Sequence, residues 1–274
     1  MFIVTSGNRW LQYKAFVFSG GEVSVKLTPE LTSFTFPSDV VHITAHITSS
    51  NKVMELVMLT DAIRREWGDV AIVLKCPYLP YARQDRVCAP GESLSLKVFC
   101  DIINSLKFRY VYVADVHSEV ALALLDNVVN IQQENFVSKI DSKYLVNTCL
   151  VSPDAGATKK INNVARALKL PVIRADKVRD PNTGEITGTD IQKNPAFWDS
   201  NLLVVDDICD GGRTFIELAK KAKERYEIGK YYLYVTHGIF SKGLEPLLEY
   251  YDHIFTAYPF PGIAHEKLTV LGGI

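Results

Sequence analysis

The sequence predicts an α/β protein built on mostly parallel sheets flanked by helices, and three observations predict it. Short unbroken apolar runs such as Ala71–Leu74 and Leu202–Val205 have the character of strands buried on both faces. Between such runs lie stretches whose apolar residues recur every three to four positions, as Leu96, Phe99, Ile103 and Leu106 do. Several runs end in polar loops rich in Gly, Asp, Arg or His, where the carboxyl ends of strands in open α/β sheets hold ligands. Strand–helix–strand repetition then implies parallel pairing, because each crossover lays a helix on the sheet.

Taken in order, the chain opens with short bursts, Phe2–Thr5, Ala15–Phe18 and Val23–Leu27, broken by Gly7 and Gly20-Gly21, which read as strands and hairpins. Val40–Ile43 is a strand. Ser49-Ser50-Asn51 caps a helix over Lys52–Trp67 with Val53, Leu56, Val57, Met58, Leu59, Ala62 and Ile63 as a broad apolar face, and Gly68 ends it. Ala71–Leu74 is a strand, Glu92–Lys107 a helix, Tyr110–Ala114 a strand and Glu119–Leu125 a short helix. The second half repeats this grammar. Tyr144–Val151 contains a strand, Thr158–Leu168 is a helix and Pro171–Ile173 a strand, followed by Leu202–Val205. A helix with Phe215, Leu218, Ala219 and Ala222 on one side comes next, then a strand at Tyr231–Thr236 and a short helix at Gly243–Tyr250. Strands at His253–Ala257 and Leu268–Leu271 close the chain. Two α/β units are expected, 1–143 and 144–274, with no Pro-rich or low-complexity linker between them.

Composition sets bounds. A chain of 274 residues has room for two medium domains. A formal charge of −1 gives no reason to expect a nucleic-acid partner. No apolar run is long enough to cross a bilayer, and Met1–Gly7 lacks the pattern of a signal peptide and reads as a first strand. Five cysteines without metal-site spacing suit a reducing, cytoplasmic setting, with Cys76, Cys100 and Cys149 as small core residues.

Three stretches carry candidate chemistry. After Leu202–Val205 come Asp206, Asp207 and Asp210, then Gly211-Gly212-Arg213-Thr214 at a helix start. A strand, a glycine turn and a helix start gather backbone N–H groups at one point, where an anion can sit. Acids beside such a nest would repel a bare phosphate, so ribose hydroxyls or Mg²⁺ suit them better. The plain alternative is a turn with acids on its solvent side. Pro77–Arg86 follows a buried strand and carries Arg83 and Arg86, whose planar forks suit phosphate. Arg174–Glu185 is dense in charge around a Pro-Asn-Thr-Gly turn; it reads as a solvated hairpin or as a flap that delivers cations.

Seven segments together resemble ribose-phosphate diphosphokinases in content and order. They are Phe18–Glu22, Pro80–Arg86, Asp115–Ser118, Val151–Asp154, Lys177–Arg179, Val205–Asp210 and Thr236–Ser241. Tyr81-Ala82-Arg83-Gln84-Asp85-Arg86 is the most specific; the acidic loop is shared with the wider phosphoribosyltransferase fold. The resemblance implies two phosphoribosyltransferase-like (type I) domains and the transfer of diphosphate from ATP to the anomeric hydroxyl of ribose 5-phosphate. It implies ATP on Arg83, Gln84, Asp85 and Arg86, with adenine contacted by Phe18 and Glu22 of a neighbouring subunit. His117 and Asp154 would serve the Mg²⁺–triphosphate side, with His117 also close to the chemistry. Asp206, Asp207, Asp210 and Gly211–Thr214 would hold the sugar phosphate, and Lys177 and Arg179 would act on the transferring group. A homo-oligomer, dimer or hexamer, is implied as well.

Three departures from the family pattern stand out. Gly20 replaces an expected aspartate, and the helix expected after an opening Gly-Asn is nearly absent at Gly7-Asn8-Arg9-Trp10. Asp210-Gly211-Gly212-Arg213-Thr214 stands where Asp-Thr-Gly-Gly-Thr is usual. The last change removes a threonine hydroxyl and adds a guanidinium, which either compensates at the phosphate or points to solvent. It also raises ADP-ribose as an alternative acceptor, since its distal ribose keeps a free anomeric hydroxyl. A phosphoribosyltransferase that consumes the activated sugar, and a catalytically inactive regulatory subunit, are the readings from other classes.

Overall fold

Alternation of apolar runs with amphipathic stretches resolves into sheets that carry helices on their faces. The protein is represented by a computed structural model that describes residues 2–28, 39–153, 158–179, 186–191, 199–226 and 229–273. The chain divides into two compact units, one reaching Ile131 and the other spanning Gln132–Gly273.

The first unit contains β1 (Ile3–Ser6), β2 (Arg9–Trp10), β3 (Tyr13–Val17), β4 (Val23–Leu27), β5 (Val40–Thr44) and α1 (Ser50–Trp67). It continues with β6 (Ala71–Lys75), α2 (Ser95–Ser105), β7 (Tyr110–Ala114), α3 (Val120–Leu124) and β8 (Val128–Ile131). Its sheet has the order β2-β1-β5-β6-β7-β8, parallel from β5 to β8 and antiparallel at β1 and β2. Val41, Ile43, Ile72, Leu74, Val111 and Val113 meet Leu56, Leu59, Ile63, Phe99 and Ile103 of the helices in one core. β3 and β4 form a separate antiparallel hairpin.

Local chemistry explains the boundaries. The Ser49 hydroxyl accepts from Lys52 N–H, and Gly68, at φ +63°, returns its N–H to Arg64 C=O at 2.8 Å. α2 starts three residues later than the periodicity predicts. Glu92 is spent on the preceding turn, where its carboxylate accepts from the N–H groups of Cys88 and Ala89 at 2.8 and 3.1 Å. The expected apolar face of α1 needs one correction: Met58 is exposed and Glu55 is buried. Glu55 tolerates burial because Tyr13 O–H donates to its Oε1 at 2.6 Å and Lys52 pairs with its other oxygen. β8, Val-Val-Asn-Ile, carries too short a pattern to stand out in sequence; it forms as the parallel neighbour of β7.

The second unit contains α4 (Glu134–Val137), a single turn at Ser142–Tyr144, β9 (Thr148–Ser152), α5 (Thr158–Leu168), β10 (Val172–Arg179) and β11 (Ile186–Ile191). Then come β12 (Asn201–Cys209), α6 (Arg213–Arg225), β13 (Tyr231–Gly238), α7 (Glu245–Leu248), β14 (His253–Pro259) and β15 (Leu268–Val270). The sheet order is β11-β10-β9-β12-β13-β14-β15, parallel throughout except for the β10–β11 hairpin. Residues 132–143, which the sequence reading groups with the first half, belong to this unit. The Gln133 side chain donates to Asp206 C=O at 2.9 Å, and the Phe136 ring meets Tyr258 edge-on at 5.5 Å. α6 buries Phe215, Leu218, Ala219 and Ala222, the four residues its periodicity selects.

The cysteines are free thiols. Burial pushes Cys76 up to about 12 and Cys100 to about 11, so both are inert core residues at neutral pH. Among the described residues no helix is long and apolar enough to cross a membrane.

Candidate active site

In the first unit, the chain leaves β6 through a loop that is pinned from below and open above. Leu79 and Ala82 are buried in the core, while Arg83, Gln84 and Arg86 just beyond them are exposed. Tyr81 takes φ +64°, a left-handed conformation rare for a bulky residue, and its C=O accepts from Gln84 N–H at 2.9 Å. Gln84 C=O in turn accepts from Leu96 N–H at 3.2 Å, which ties the loop to the first turn of α2. Asp115, at the end of β7, is buried with φ +41° and donates its N–H to Ile131 C=O at 2.7 Å. Strained residues at strand ends of this kind persist where the surroundings over-determine them, commonly at functional sites. Here they turn the chain so that His117 emerges exposed.

Arg83, Gln84, Asp85, Arg86 and His117 line a single cleft of about 580 Å³, together with Cys88, Glu92, Ser93 and Ser95. Asp85 is held in place by the Ser118 hydroxyl, which donates to Oδ2 at 2.7 Å, and by Arg86 Nε, which donates to Oδ1 at 3.0 Å. The Ser118 bond, helped by Arg86 and opposed by burial, keeps the Asp85 carboxyl below its ordinary range. Five of the residues expected to hold ATP or its metal are thus brought together. Phe18 and Glu22 are not among the lining residues. They close the β3–β4 hairpin, with Phe18 N–H donating to Glu22 C=O at 2.9 Å and the Phe18 ring 54% exposed. Gly20 leaves room for Glu22: a Cβ at position 20 would fall 2.6 Å from Glu22 Oε2.

In the second unit, β12 runs further than its apolar core. Asp206, Ile208 and Cys209 pair with Val235, His237 and Gly238 of β13, so Asp206 and Asp207 occupy the strand end, with Asp210 in the turn just beyond it. Asp207 is buried and takes a hydrogen bond from Lys160 Nζ at 2.9 Å; Asp206 Oδ1 accepts from Asp207 N–H at 2.9 Å. Gly212, at φ +78°, turns the chain into α6, whose first turn has no side-chain cap. Arg213 answers the alternative left open by sequence. Its side chain is 91% exposed and its Nε donates to Glu217 Oε1 at 2.7 Å along the helix, away from the turn. Thr214 is exposed at the second position of α6. Asp210 C=O accepts from Ser241 N–H at 3.1 Å, which fixes the turn against the loop after β13.

Lys177 and Arg179 lie on β10, opposite Thr189 and Ile186 of β11, with the register shifting between Val178 and Arg179. The charged stretch is therefore a hairpin at its base. Asp154 lies outside the described residues. Lys160 and Gln133 were not evident from the sequence. Lys160 is one of two adjacent lysines at a helix start, and only folding reveals that it reaches Asp207. Among the described residues no three His, Cys, Asp or Glu side chains converge as a metal cage. Mg²⁺ does not require one, because it commonly takes one or two protein groups and fills its shell with substrate phosphate oxygens and water.

Comparison with known proteins agrees with this layout. A sequence family described as the N-terminal domain of ribose phosphate pyrophosphokinase matches residues 6–106. The ribose-phosphate pyrophosphokinase of Thermococcus kodakarensis is 30% identical over 70% of this chain and 67% of its own length. That of Haemophilus ducreyi is 30% identical over 82% of this chain and 70% of its own. The phosphoribosylpyrophosphate synthetase of Mycobacterium smegmatis superposes with a TM-score of 0.78 at 19% identity, covering 96% of this chain and 86% of that one. The fold is thus that of the phosphoribosyltransferase-like α/β class. Within that class, the chain belongs to the ribose-phosphate pyrophosphokinase family. It spans about two thirds of the length of such relatives.

Proposed function

We propose that the chain transfers the terminal diphosphoryl group of ATP to the anomeric hydroxyl of ribose 5-phosphate, giving 5-phosphoribosyl 1-diphosphate and AMP. The observation that carries this reading is the convergence of Arg83, Asp85, Arg86 and His117 on one cleft. Arg83 and Arg86 bind the triphosphate through charge-assisted hydrogen bonds. Asp206 and Asp207 accept hydrogen bonds from the ribose hydroxyls, and the open N–H groups at the start of α6 hold its 5′-phosphate. Lys177 and Arg179 stabilise the charge that spreads over the nonbridging oxygens as the diphosphoryl group moves. His117 and Asp154 are the residues that would meet Mg²⁺, which when bound neutralises phosphate charge and polarises the phosphorus under attack. A homo-oligomer fits the family resemblance, with Phe18 and Glu22 reaching the adenine of a second subunit.

A phosphoribosyltransferase would leave the arginine cleft without a task. An inactive subunit would have no need to retain Lys177, Arg179, His117 and the three acids in its sequence. The test is AMP release by purified protein supplied with Mg²⁺, ATP and ribose 5-phosphate. Lys177→Ala or Arg179→Ala is expected to lower kcat by about a hundredfold or more with a smaller change in KM. Absence of AMP above the ATP-only background would overturn the reading.

A further inference from the structure

The two glycines of the phosphate turn are there for different reasons. Gly212 has φ +78°, which favours glycine, and a Cβ on it would lie 3.1 Å from Leu247 Cδ2, so Leu247 would have to give way as well. Gly211 is under neither constraint. Its φ is outside the left-handed region, and a Cβ there would meet only Lys242 Cγ at 3.8 Å and Ser241 Oγ at 3.9 Å, ordinary van der Waals separations. The fold would accept a side chain at 211, yet the position is bare where the resemblance to ribose-phosphate diphosphokinases leads one to expect threonine.

Two neighbours show what the bare position leaves open. Arg213 does not bend back over the turn, since its guanidinium is committed to Glu217 at 2.7 Å. Lys242 and Ser241 flank the open volume, and both are exposed. Among the described residues no carboxylate pairs with the Lys242 ammonium. The rim next to the phosphate turn therefore offers space, a cation and a hydroxyl, a set suited to a second phosphoryl group.

We infer that the sugar-phosphate site of this chain accepts a ribose whose 5′-phosphate is esterified to a second phosphate, the nucleoside-diphosphate-ribose class. Gly211 supplies the opening, and Lys242 with Ser241 meets the outer phosphate. The inference rests on the diphosphoryl-transfer reading and extends it to the acceptor. The chemistry at the other end of the sugar is unchanged. The anomeric oxygen forms a bond to the β-phosphorus of ATP while the bond from that phosphorus to the α,β-bridging oxygen breaks. AMP leaves with the electron pair, and the hydroxyl proton passes to water. Esterification at the 5′ end leaves the anomeric hydroxyl free, so nothing in that balance forbids the larger acceptor.

The experiment measures AMP release by the full chain with Mg²⁺–ATP, using ribose 5-phosphate and ADP-ribose as alternative acceptors and comparing kcat/KM. Turnover of ADP-ribose at least as efficient as that of ribose 5-phosphate is expected. Gly211→Thr should move the ratio of the two kcat/KM values toward ribose 5-phosphate by about tenfold or more, the scale of one charge-assisted hydrogen bond. Lys242→Gln should raise KM for ADP-ribose more than kcat falls. Turnover of ribose 5-phosphate alone overturns this inference and leaves the parent reading standing. No AMP with either acceptor overturns both. A ratio that neither variant moves overturns the assignment of Gly211 and Lys242.

Discussion

Lys160 Nζ lies 2.9 Å from Asp207 Oδ2, joining the first turns of α5 to the acidic end of β12. The Asp207 side chain is only 10% exposed and that of Lys160 32%, so the pair is partly shielded from water. In that setting the ammonium compensates a carboxylate whose burial would otherwise be costly, and it fixes the Asp207 rotamer, which the proposed function directs at the ribose.

Lys160→Met should therefore act on sugar binding as well as on stability. We expect a loss of about 1–3 kcal/mol in urea unfolding, the range for a charged hydrogen bond with partial solvent access. KM for the sugar acceptor should rise several-fold more than KM for ATP, and Lys160→Arg should recover most of the difference. Equal effects on both substrates would reduce Lys160 to a packing residue.

Gly212 and Gly211 provide a paired test of backbone strain. Gly212→Ala forces a side chain into φ +78° and toward Leu247, and should cost about 1–3 kcal/mol. Gly211→Ala meets only ordinary van der Waals neighbours and should stay within about 0.5 kcal/mol of the parent. Chemical denaturation of both variants decides the matter; equal losses would refute the difference in constraint.

Much of this architecture was legible because period and punctuation agree locally. Ser49 and Gly68 bound α1 through hydrogen bonds that lie within a turn of them. The four-residue apolar set of α6 faces the core as its spacing requires. What sequence did not reveal depends on partners distant in the chain. Glu55 is buried because Tyr13 reaches it, and Asp206 and Asp207 lie on a strand because β13 extends beside them. The position of residues 132–143 follows from Gln133 reaching Asp206. Arg213 leaves two readings open in sequence, and Glu217, one helical turn on, decides between them by holding its guanidinium.

Tyr13 makes the most consequential of these distant interactions. Its hydroxyl accepts from Phe2 N–H at 2.6 Å and donates to Glu55 Oε1 at 2.6 Å, anchoring the chain start to α1. Burial, followed by the bond to Glu55, raises the Tyr13 pKa, so the phenol stays protonated as a donor throughout the physiological range. Tyr13→Phe leaves the buried carboxylate short of a donor and should cost about 1.5–3 kcal/mol. A double-mutant cycle with Glu55→Gln measures the coupling, and a value near zero would remove the pair from the account.

Asp85 supplies the pH prediction. Its folded pKa is depressed, first by the Ser118 hydrogen bond and then by Arg86, with burial opposing. A depressed carboxyl contributes stability that is present above its unfolded value of about 3.9 and is lost as pH falls through the folded value. Ser118→Ala removes the leading cause, so the folded pKa should move up toward the ordinary aspartate value. The variant should then be less stable than the parent throughout the neutral range, with the difference shrinking as pH falls through the folded value, and the acid-unfolding midpoint should shift to higher pH. Carboxyl ¹³C titration of Asp85 in parent and variant reads the shift directly. Superimposable titrations would mean that the serine hydroxyl does not set the charge at the floor of the arginine cleft.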